Sequence, residues 1–177
     1  YCGTVMNLLY TITAYPPSIG GAQTHCHELA KNLAARHMIT VRSFWKNNRT
    51  DWLLGTTLKA PHKGEPYNLE GVKVSPINLS PADRRRSWPW VITYYLNKAK
   101  AIDHLSQTLL KNIECCDRRP DLIHNNRIGR EPLSFSSFKL AKKLDIPFCF
   151  TPYHHPKWVG WNYREYCELY KSADGIF

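Results

Sequence analysis

The sequence predicts an α/β fold built on a parallel sheet. Two observations carry that expectation. Runs rich in β-branched and aromatic residues alternate along the chain with segments of helical period, and Gly- or Pro-rich loops separate them. At 177 residues the chain is one domain, or one lobe of a larger enzyme, and is long enough to bury a substantial core.

The elements follow in order. Val5–Thr13 (VMNLLYTIT) has the length and composition of a buried strand, and Tyr15–Gly21 (YPPSIGG) stops it with a turn cluster. Ala22–Arg36 reads as a helix because Leu29, Ala30, Leu33 and Ala34 recur at helical spacing; Met38–Trp45 returns to strand character. Strand, glycine loop, helix and strand spell a βαβ unit, which favours parallel pairing. Lys46–Glu70 is irregular and polar, and Val72–Ile77 is a short strand after the turn signal Glu70–Gly71. Ser80–Trp90 mixes prolines, arginines and tryptophans and gets no element; Val91–Glu114 is mostly helical, in one or two pieces. A second cycle then runs through strand Asp121–His124, loop Asn125–Glu131, helix Leu133–Leu144, strand Pro147–Thr151, loop Pro152–Gly160 and helix Trp161–Ala173, and ends in a strand begun at Gly175–Phe177. This alternation indicates a Rossmann-like sheet with helices on both faces. The last strand reads as cut off at its start, so a longer protein is expected.

Composition narrows the function. Hydrophobic residues at 43% and charged residues at 21% suit a globular chain and exclude disordered or collagen-like classes. No apolar run approaches the roughly 18 to 20 residues of a membrane-spanning helix. The first apolar stretch holds Asn7 and lacks a basic leader, against a secretory signal. A net charge of +10 points to anionic partners: nucleic acid, phosphorylated ligands or acidic lipid. The six cysteines form no C-x-x-C, so free thiols in a reducing cytoplasm are expected.

Chemistry concentrates in the loops. Gly20–Gly21 stand where a strand hands over to a helix, where outward amides and the helix dipole suit phosphate. Neither G-x-G-x-x-G nor a Walker A motif is present. His25 and His27, two apart on one helix, face different sides and make no metal pair; no Asp-x-Asp site or ligand cluster suggests a cation. His124 reads as a hydrogen-bonded structural histidine at an edge. Arg127 and Arg130 follow a strand end on the side of the glycine loop and offer a bidentate grip on phosphate or carboxylate.

Four segments carry a family resemblance. MNLLYTITAYPPSIGGAQTHCHELAKNLAARHMITV, with Gly20, Gly21, His25, Leu29, Ala30, Leu33, Ala34 and Arg36, is similar to the opening of family-4 glycosyltransferases of GT-B architecture; His37 replaces the usual glycine. PDLIHNN (120–126), LAKKLDIPFCFTPYHHP (140–156) and YCELYKSADGIF (166–177) resemble later motifs of the same lobe, in order. The resemblance implies the N-terminal, acceptor-side lobe of a two-lobe enzyme that moves a sugar, with retention, from a nucleotide diphosphate sugar to an acceptor hydroxyl. It implies no metal cofactor and a donor-binding lobe that this chain lacks, so that the lone lobe is inactive. Gly20 and Gly21 take the donor-phosphate position, and His25 a loop-positioning or ligand-contacting one. The family's histidine near the transferred sugar falls on Tyr153 by count, with His154 and His155 next. Either Tyr153 replaces it with a hydroxyl or the loop shifts to bring His154 in.

Arg84, Arg85 and Arg86 beside Trp88 and Trp90 form a basic–aromatic patch, suited to an anionic membrane from the cytoplasmic side. The rival reading makes the chain a nucleic-acid or anionic-ligand binding module using the same patch. No RNA-binding signature supports it.

Overall fold

The computed structural model describes residues 4–46, 53–114, 118–127, 132–153 and 164–177. Its elements are β1 (Asn7–Ala14), α1 (Gly21–Ala34), β2 (Met38–Trp45), β3 (Tyr67–Leu69), β4 (Val72–Pro76), α2 (Pro81–Ile92), α3 (Lys98–Glu114), β5 (Leu122–Arg127), α4 (Pro132–Leu144), β6 (Phe148–Pro152), α5 (Arg164–Ser172) and β7 (Gly175–Ile176). They form one seven-stranded sheet in the order β3-β4-β2-β1-β5-β6-β7. β3 runs antiparallel to β4, whereas the other neighbours are parallel. Counted without β3, the parallel strands take the doubly wound order 3-2-1-4-5-6, which reverses direction between β1 and β5.

Alternation along β1 dictates the two cores. Leu8, Tyr10 and Ile12 pack with Cys26 and Ala30 of α1 and with Val41 and Val74 of the neighbouring strands. Leu9 faces the other way, into a larger core with Ile123, Phe148, Phe150, Leu109 of α3, Leu140 of α4 and Leu169 of α5. Helices therefore cover both faces, as the sequence predicts. Each fully buried aliphatic or aromatic side chain contributes about 1.5–3 kcal/mol. A polar rung crosses the second face: Asn125 Nδ2 donates to Thr11 Oγ1 at 2.8 Å, and Thr11 Oγ1 meets Ser137 Oγ of α4 at 2.8 Å.

Three expectations need correction. Ser80–Trp90 is not irregular: Pro81 occupies the first turn of α2, where its missing N–H costs nothing. Ser80 and Asp83 close a reciprocal capping box over the same turn. Asn125–Arg127 is not loop, because β5 continues through it, in register with β6 up to Arg127 opposite Pro152. His124 accordingly lies inside a central strand rather than at an edge. The third is the short β3, which the sequence reading left irregular. Its turn places Glu70 at φ 49° and Gly71 at φ 84°. Among the described residues no helix is long and apolar enough to cross a membrane, and Cys26, Cys149 and Cys167 are free thiols.

Candidate functional site at the sheet's switch point

In a doubly wound sheet, ligands bind outside the carboxyl ends of the strands where the order reverses. Here that crevice lies between β1 and β5, and the β1–α1 connection forms its rim. Two tyrosines pin this connection. Tyr15 Oη contacts His27 Nδ1 at 2.9 Å, and Tyr67 Oη donates to the Pro16 carbonyl at 2.7 Å. Burial raises the pKa of both phenols, Tyr67 to about 12, so each stays a neutral hydrogen-bonding group. His27 Nε2 in turn meets Glu70 Oε2 at 3.0 Å, and Lys31 Nζ pairs with the same oxygen at 2.8 Å, tying the β3–β4 turn to α1. Lys31 and His27 hold the Glu70 carboxyl below its ordinary pKa.

The N-terminus of α1 is left open. Gly20 precedes it in extended backbone with no side-chain cap, and no acid stands in the first turn. The first intrahelical bond is Thr24 N–H to the Gly20 carbonyl. The amides of Gly21, Ala22 and Gln23 thus lack intrahelical partners and carry the positive end of the helix dipole. A Cβ at Gly21 would meet nothing within 4 Å, whereas one at Gly20 would lie 2.2 Å from Gln23 Oε1. A side chain at Gly20 would therefore push the end of Gln23 aside, and one at Gly21 would disturb nothing.

Across the crevice, His25 Nδ1 sits 2.8 Å from Tyr153 Oη, which donates to Asn126 Oδ1 at 3.1 Å. Because Tyr153 spends its one proton on Asn126, His25 must donate from Nδ1, which leaves Nε2 as a lone-pair acceptor. Burial raises the Tyr153 pKa, so its hydroxyl is a donor and not a base at neutral pH. Asn126 Nδ2, Ser18 Oγ and Gln23 Nε2 are buried with no partner, as are Thr13 Oγ1 and Asn125 Oδ1 on the α4 side. Left unsatisfied, each costs about 1–3 kcal/mol; all five belong to the carboxyl ends of β1 and β5, the β1–α1 connection or the first turn of α1, on both faces of the sheet.

A second concavity adjoins the Pro16 turn. Trp45, Lys46, Gly64, Glu65 and Tyr67 line a cavity of about 330 Å³ at the ends of β2 and β4, near the lower limit for small-molecule sites. Lys46 Nζ stands 4.3 Å from the centre of the Tyr67 ring. Together, uncapped amides, neutral donors and an aromatic-lined pocket can hold an anionic group and an adjoining polyhydroxyl ring.

Of the residues singled out from sequence, Gly20, Gly21, His25 and Tyr153 converge here. Arg127 ends β5 at the same edge; Arg130, His154 and His155 lie outside the described residues. His124 is buried in the sheet, with Nε2 2.8 Å from Thr151 Oγ1 and its ring edge-on to Tyr10. Burial, aided by nearby His25, lowers its pKa to about 4, so it is a neutral structural group. The basic–aromatic patch does not share one face. Arg84 is half-buried, with its guanidinium bonded to the Ala60 carbonyl, and Trp90 stacks on His104 at 3.8 Å. Arg85, Arg86 and Trp88 are exposed. Sequence reading missed Ser18, Gln23, Asn126 and the Trp45–Tyr67 pocket. Only the paired asparagines after DLIH offered a signal: amides placed where an apolar strand ends.

No protein-family model and no curated protein matches this sequence. Among solved structures, HepE of Anabaena, solved in complex with UDP and glucose, is similar with a TM-score of 0.52 and 16% identity. The match covers 97% of this chain and 37% of that one, so this chain spans just over a third of that protein's length. TcCGT1, solved in complex with UDP, matches with a TM-score of 0.40 and 13% identity over 84% of this chain and 28% of that one. The likeness to HepE shows the fold, an α/β sheet of the kind found in GT-B glycosyltransferase domains.

Proposed function

We propose that this chain is the acceptor-side lobe of a retaining, family-4-type glycosyltransferase that transfers a sugar from a nucleotide diphosphate sugar to an acceptor hydroxyl. The carrying observation is the open, acid-free N-terminus of α1 at the switch point, with unpartnered buried polar atoms on Ser18 before it, Gln23 in its first turn and Asn126 at the end of β5. Two supports stand beside it: the ordered motif resemblance, and the fold shared with a protein solved with UDP and glucose.

In this reading the amides of Gly21–Gln23 meet the donor diphosphate and stabilise the charge that grows on it as the glycosidic bond breaks. Fixed dipoles and cationic side chains, Arg127 and Arg130 among them, take the role a metal would otherwise fill. Tyr153 stands where the family places its histidine and orients a sugar hydroxyl, with His25 Nε2 as the adjacent acceptor; His154 and His155 are the further candidates for that role. The Trp45–Tyr67 pocket takes part of the acceptor, since aromatic walls suit the apolar face of a sugar ring. A second lobe supplies the donor-nucleotide contacts, so the 177-residue chain alone does not turn over. The activity belongs on the cytoplasmic side, where nucleotide sugars are held.

The test is amide-resolved NMR of the isotope-labelled chain titrated with UDP-glucose and with pyrophosphate. Shifts confined to the amides of residues 20–23 and the Asn126 side chain are expected with both. Perturbation confined to residues 84–90, with or without oligonucleotide, would transfer the assignment to the rival anion-binding module. No perturbation at millimolar ligand would remove the phosphate role of the glycine loop.

A further inference from the structure

The cavity beside the Pro16 turn uses its hydrogen-bonding groups on its own chain. Trp45 Nε1 donates to the Gly55 carbonyl at 3.0 Å, and Tyr67 Oη to the Pro16 carbonyl at 2.7 Å. Ser43 Oγ turns to the Trp45 and Thr13 carbonyls. One side chain clamps Gly64 from both ends: its N–H donates to Asn78 Oδ1 at 2.8 Å, and its carbonyl accepts from Asn78 Nδ2 at 3.1 Å. The Pro61 carbonyl accepts from the Leu79 amide at 2.9 Å. Both aromatic walls thus turn their polar ends away from the space, and Pro61 and Pro76 add carbon to a lining that is mainly apolar. The closeness of the walls is built in. A Cβ at Gly64 would lie 2.6 Å from Pro76 Cβ, so a side chain there would push the segment off the end of β4.

What the lining still offers a guest stands at the rim. Lys46 Nζ lies 4.3 Å from the centre of the Tyr67 ring, Glu65 lines the same opening, and both side chains are exposed. An ammonium donates and a carboxylate accepts, so the pair suits a hydroxyl and selects neither sign of net charge. This division decides among occupants. A sugar ring can rest one face on an aromatic wall, but the depth of the pocket offers its remaining hydroxyls no partner, and each polar group buried unpaired costs affinity. An acyl or isoprenoid chain finds carbon but not room: about 330 Å³ is near the lower limit of small-molecule sites and holds one or two rings. A planar arene fits both the volume and the surface, because it can meet Trp45 and Tyr67 in the offset or edge-on arrangements that aromatic rings prefer.

We propose that this pocket selects an aromatic alcohol as the acceptor. The arene lies in the depth against Trp45 and Tyr67, and its hydroxyl stands at the rim between Lys46 and Glu65. The inference deepens the transferase reading and rests on it for the role of acceptor; the choice of an arene rests on the pocket alone. Tyr67 then serves through two parts of one side chain. Its ring walls the pocket, and its hydroxyl holds Pro16 of the connection that leads to Gly20 and the open end of α1. Trp45 does the same, with its ring on the pocket and its carbonyl accepting from the Tyr15 amide at 3.0 Å.

The experiment titrates the isotope-labelled chain with p-cresol, phenyl β-glucoside and methyl β-glucoside. The two aryl compounds are expected to move the Trp45 indole N–H and the Gly64 amide, and to give intermolecular NOEs to the Trp45 and Tyr67 rings. Methyl β-glucoside, which lacks the arene, binds about tenfold more weakly or worse. Tyr67→Leu keeps apolar volume without the ring and lowers aryl affinity about fivefold. Tyr67→Phe keeps the ring and loses the bond to Pro16, so it lowers the melting temperature and leaves aryl affinity in place, which separates binding from a structural role. Methyl β-glucoside bound as tightly as the aryl compounds, aryl binding without contacts to Trp45 and Tyr67, or no aryl binding at millimolar concentration would each overturn the proposal. Unchanged aryl affinity in Tyr67→Leu would do the same. Pyrophosphate added to the same samples keeps the two readings apart. Shifts at residues 20–23 without aryl binding would sink the arene assignment alone; aryl binding without those shifts would support the arene and remove the transferase reading.

Discussion

Replacing His124 by Gln should remove an acid sensitivity built into the middle of the sheet. His124 is 4% exposed, its ring stands edge-on to Tyr10 with centroids 4.8 Å apart, and Nε2 lies 2.8 Å from Thr151 Oγ1. Burial lowers its pKa from 6.5 to about 4, with His25 adding to the effect. The unfolded chain therefore takes up a proton as pH falls through 6.5, while the folded chain refuses it until about pH 4. Over that window the unfolded state binds more protons, so stability is complete above pH 6.5 and is lost on acidification. At about 1.4 kcal/mol per pH unit, the loss amounts to on the order of 3 kcal/mol by pH 4. That is a large share of the 5–15 kcal/mol typical of a domain. Gln keeps a hydrogen-bonding group within reach of Thr151 but does not titrate. Urea unfolding at a series of pH values from 7 to 4.5 reads the difference. At pH 7 the variant should be the weaker protein by ~1 kcal/mol, for the lost contact with Tyr10. As pH falls the gap should close and then invert, because the parent alone pays for protonating a buried ring. Groups such as Glu70 titrate in both proteins and cancel. Parallel stability curves over the whole range would refute the reasoning.

The glycine pair and the crevice hydroxyl give further tests. Gly21→Ala places a methyl in open space, so the free chain should hold its stability or gain up to ~1 kcal/mol; UDP or pyrophosphate binding should fall about tenfold, as 1.4 kcal/mol of lost contact implies. Gly20→Ala drives a methyl to 2.2 Å from Gln23 Oε1, so the buried Gln23 side chain must change rotamer, which should cost about 0.5–1 kcal/mol with or without ligand. Thermal melts and calorimetric titration of the pair separate the two roles, and equal ligand affinity in Gly21→Ala and the parent would remove the amides from the site. Tyr153→Phe leaves His25 Nδ1 and Asn126 Oδ1 without their shared partner and should destabilise by ~1–2 kcal/mol. In the longer two-lobe protein it should lower kcat more than it raises KM; a purely structural hydroxyl would leave turnover per folded molecule unchanged.

The frame was legible because alternation of buried runs and helical periods is imposed by the layered architecture itself. β1, β2, α4 and the closing βαβ unit were predicted within a few residues. What was missed follows from local chemistry with two meanings. Ser80–Trp90 drew no element because of its mixed composition, yet proline in a first turn and Asp three residues after Ser80 are the start signal of a helix. Asn125 and Asn126 read as loop because they are polar, but as strand residues they place amides on opposite faces of β5. One meets Thr11 beneath α4 and the other meets Tyr153 beneath α1. The Tyr153–His25 contact spans 128 positions. No local pattern encodes it; only the pairing of β5 with both β1 and β6 brings the two together.

The structure also separates two properties that composition merges. A net charge of +10 suggests a site made of cations, yet Ser18, Gln23, His25, Asn126 and Tyr153 near the opening of α1 include no lysine or carboxylate, and Arg127 at the end of β5 is the one guanidinium among the described residues named for the site. Arg85 and Arg86 instead stand exposed on α2. The division has a physical logic. A group that must stabilise charge only while it develops works best as a fixed dipole, which needs no counterion and does not hold the diphosphate so tightly that it cannot leave. A group that must find a charged surface from solution works best as a mobile, hydrated cation whose attraction reaches a Debye length. Charge reversal at Arg85 and Arg86 should therefore leave UDP affinity at the crevice untouched, whereas Gly21→Ala should lower it. If charge reversal on α2 lowered UDP affinity as well, helix surface and crevice would be a single anion-binding face, and the two-part division would fail.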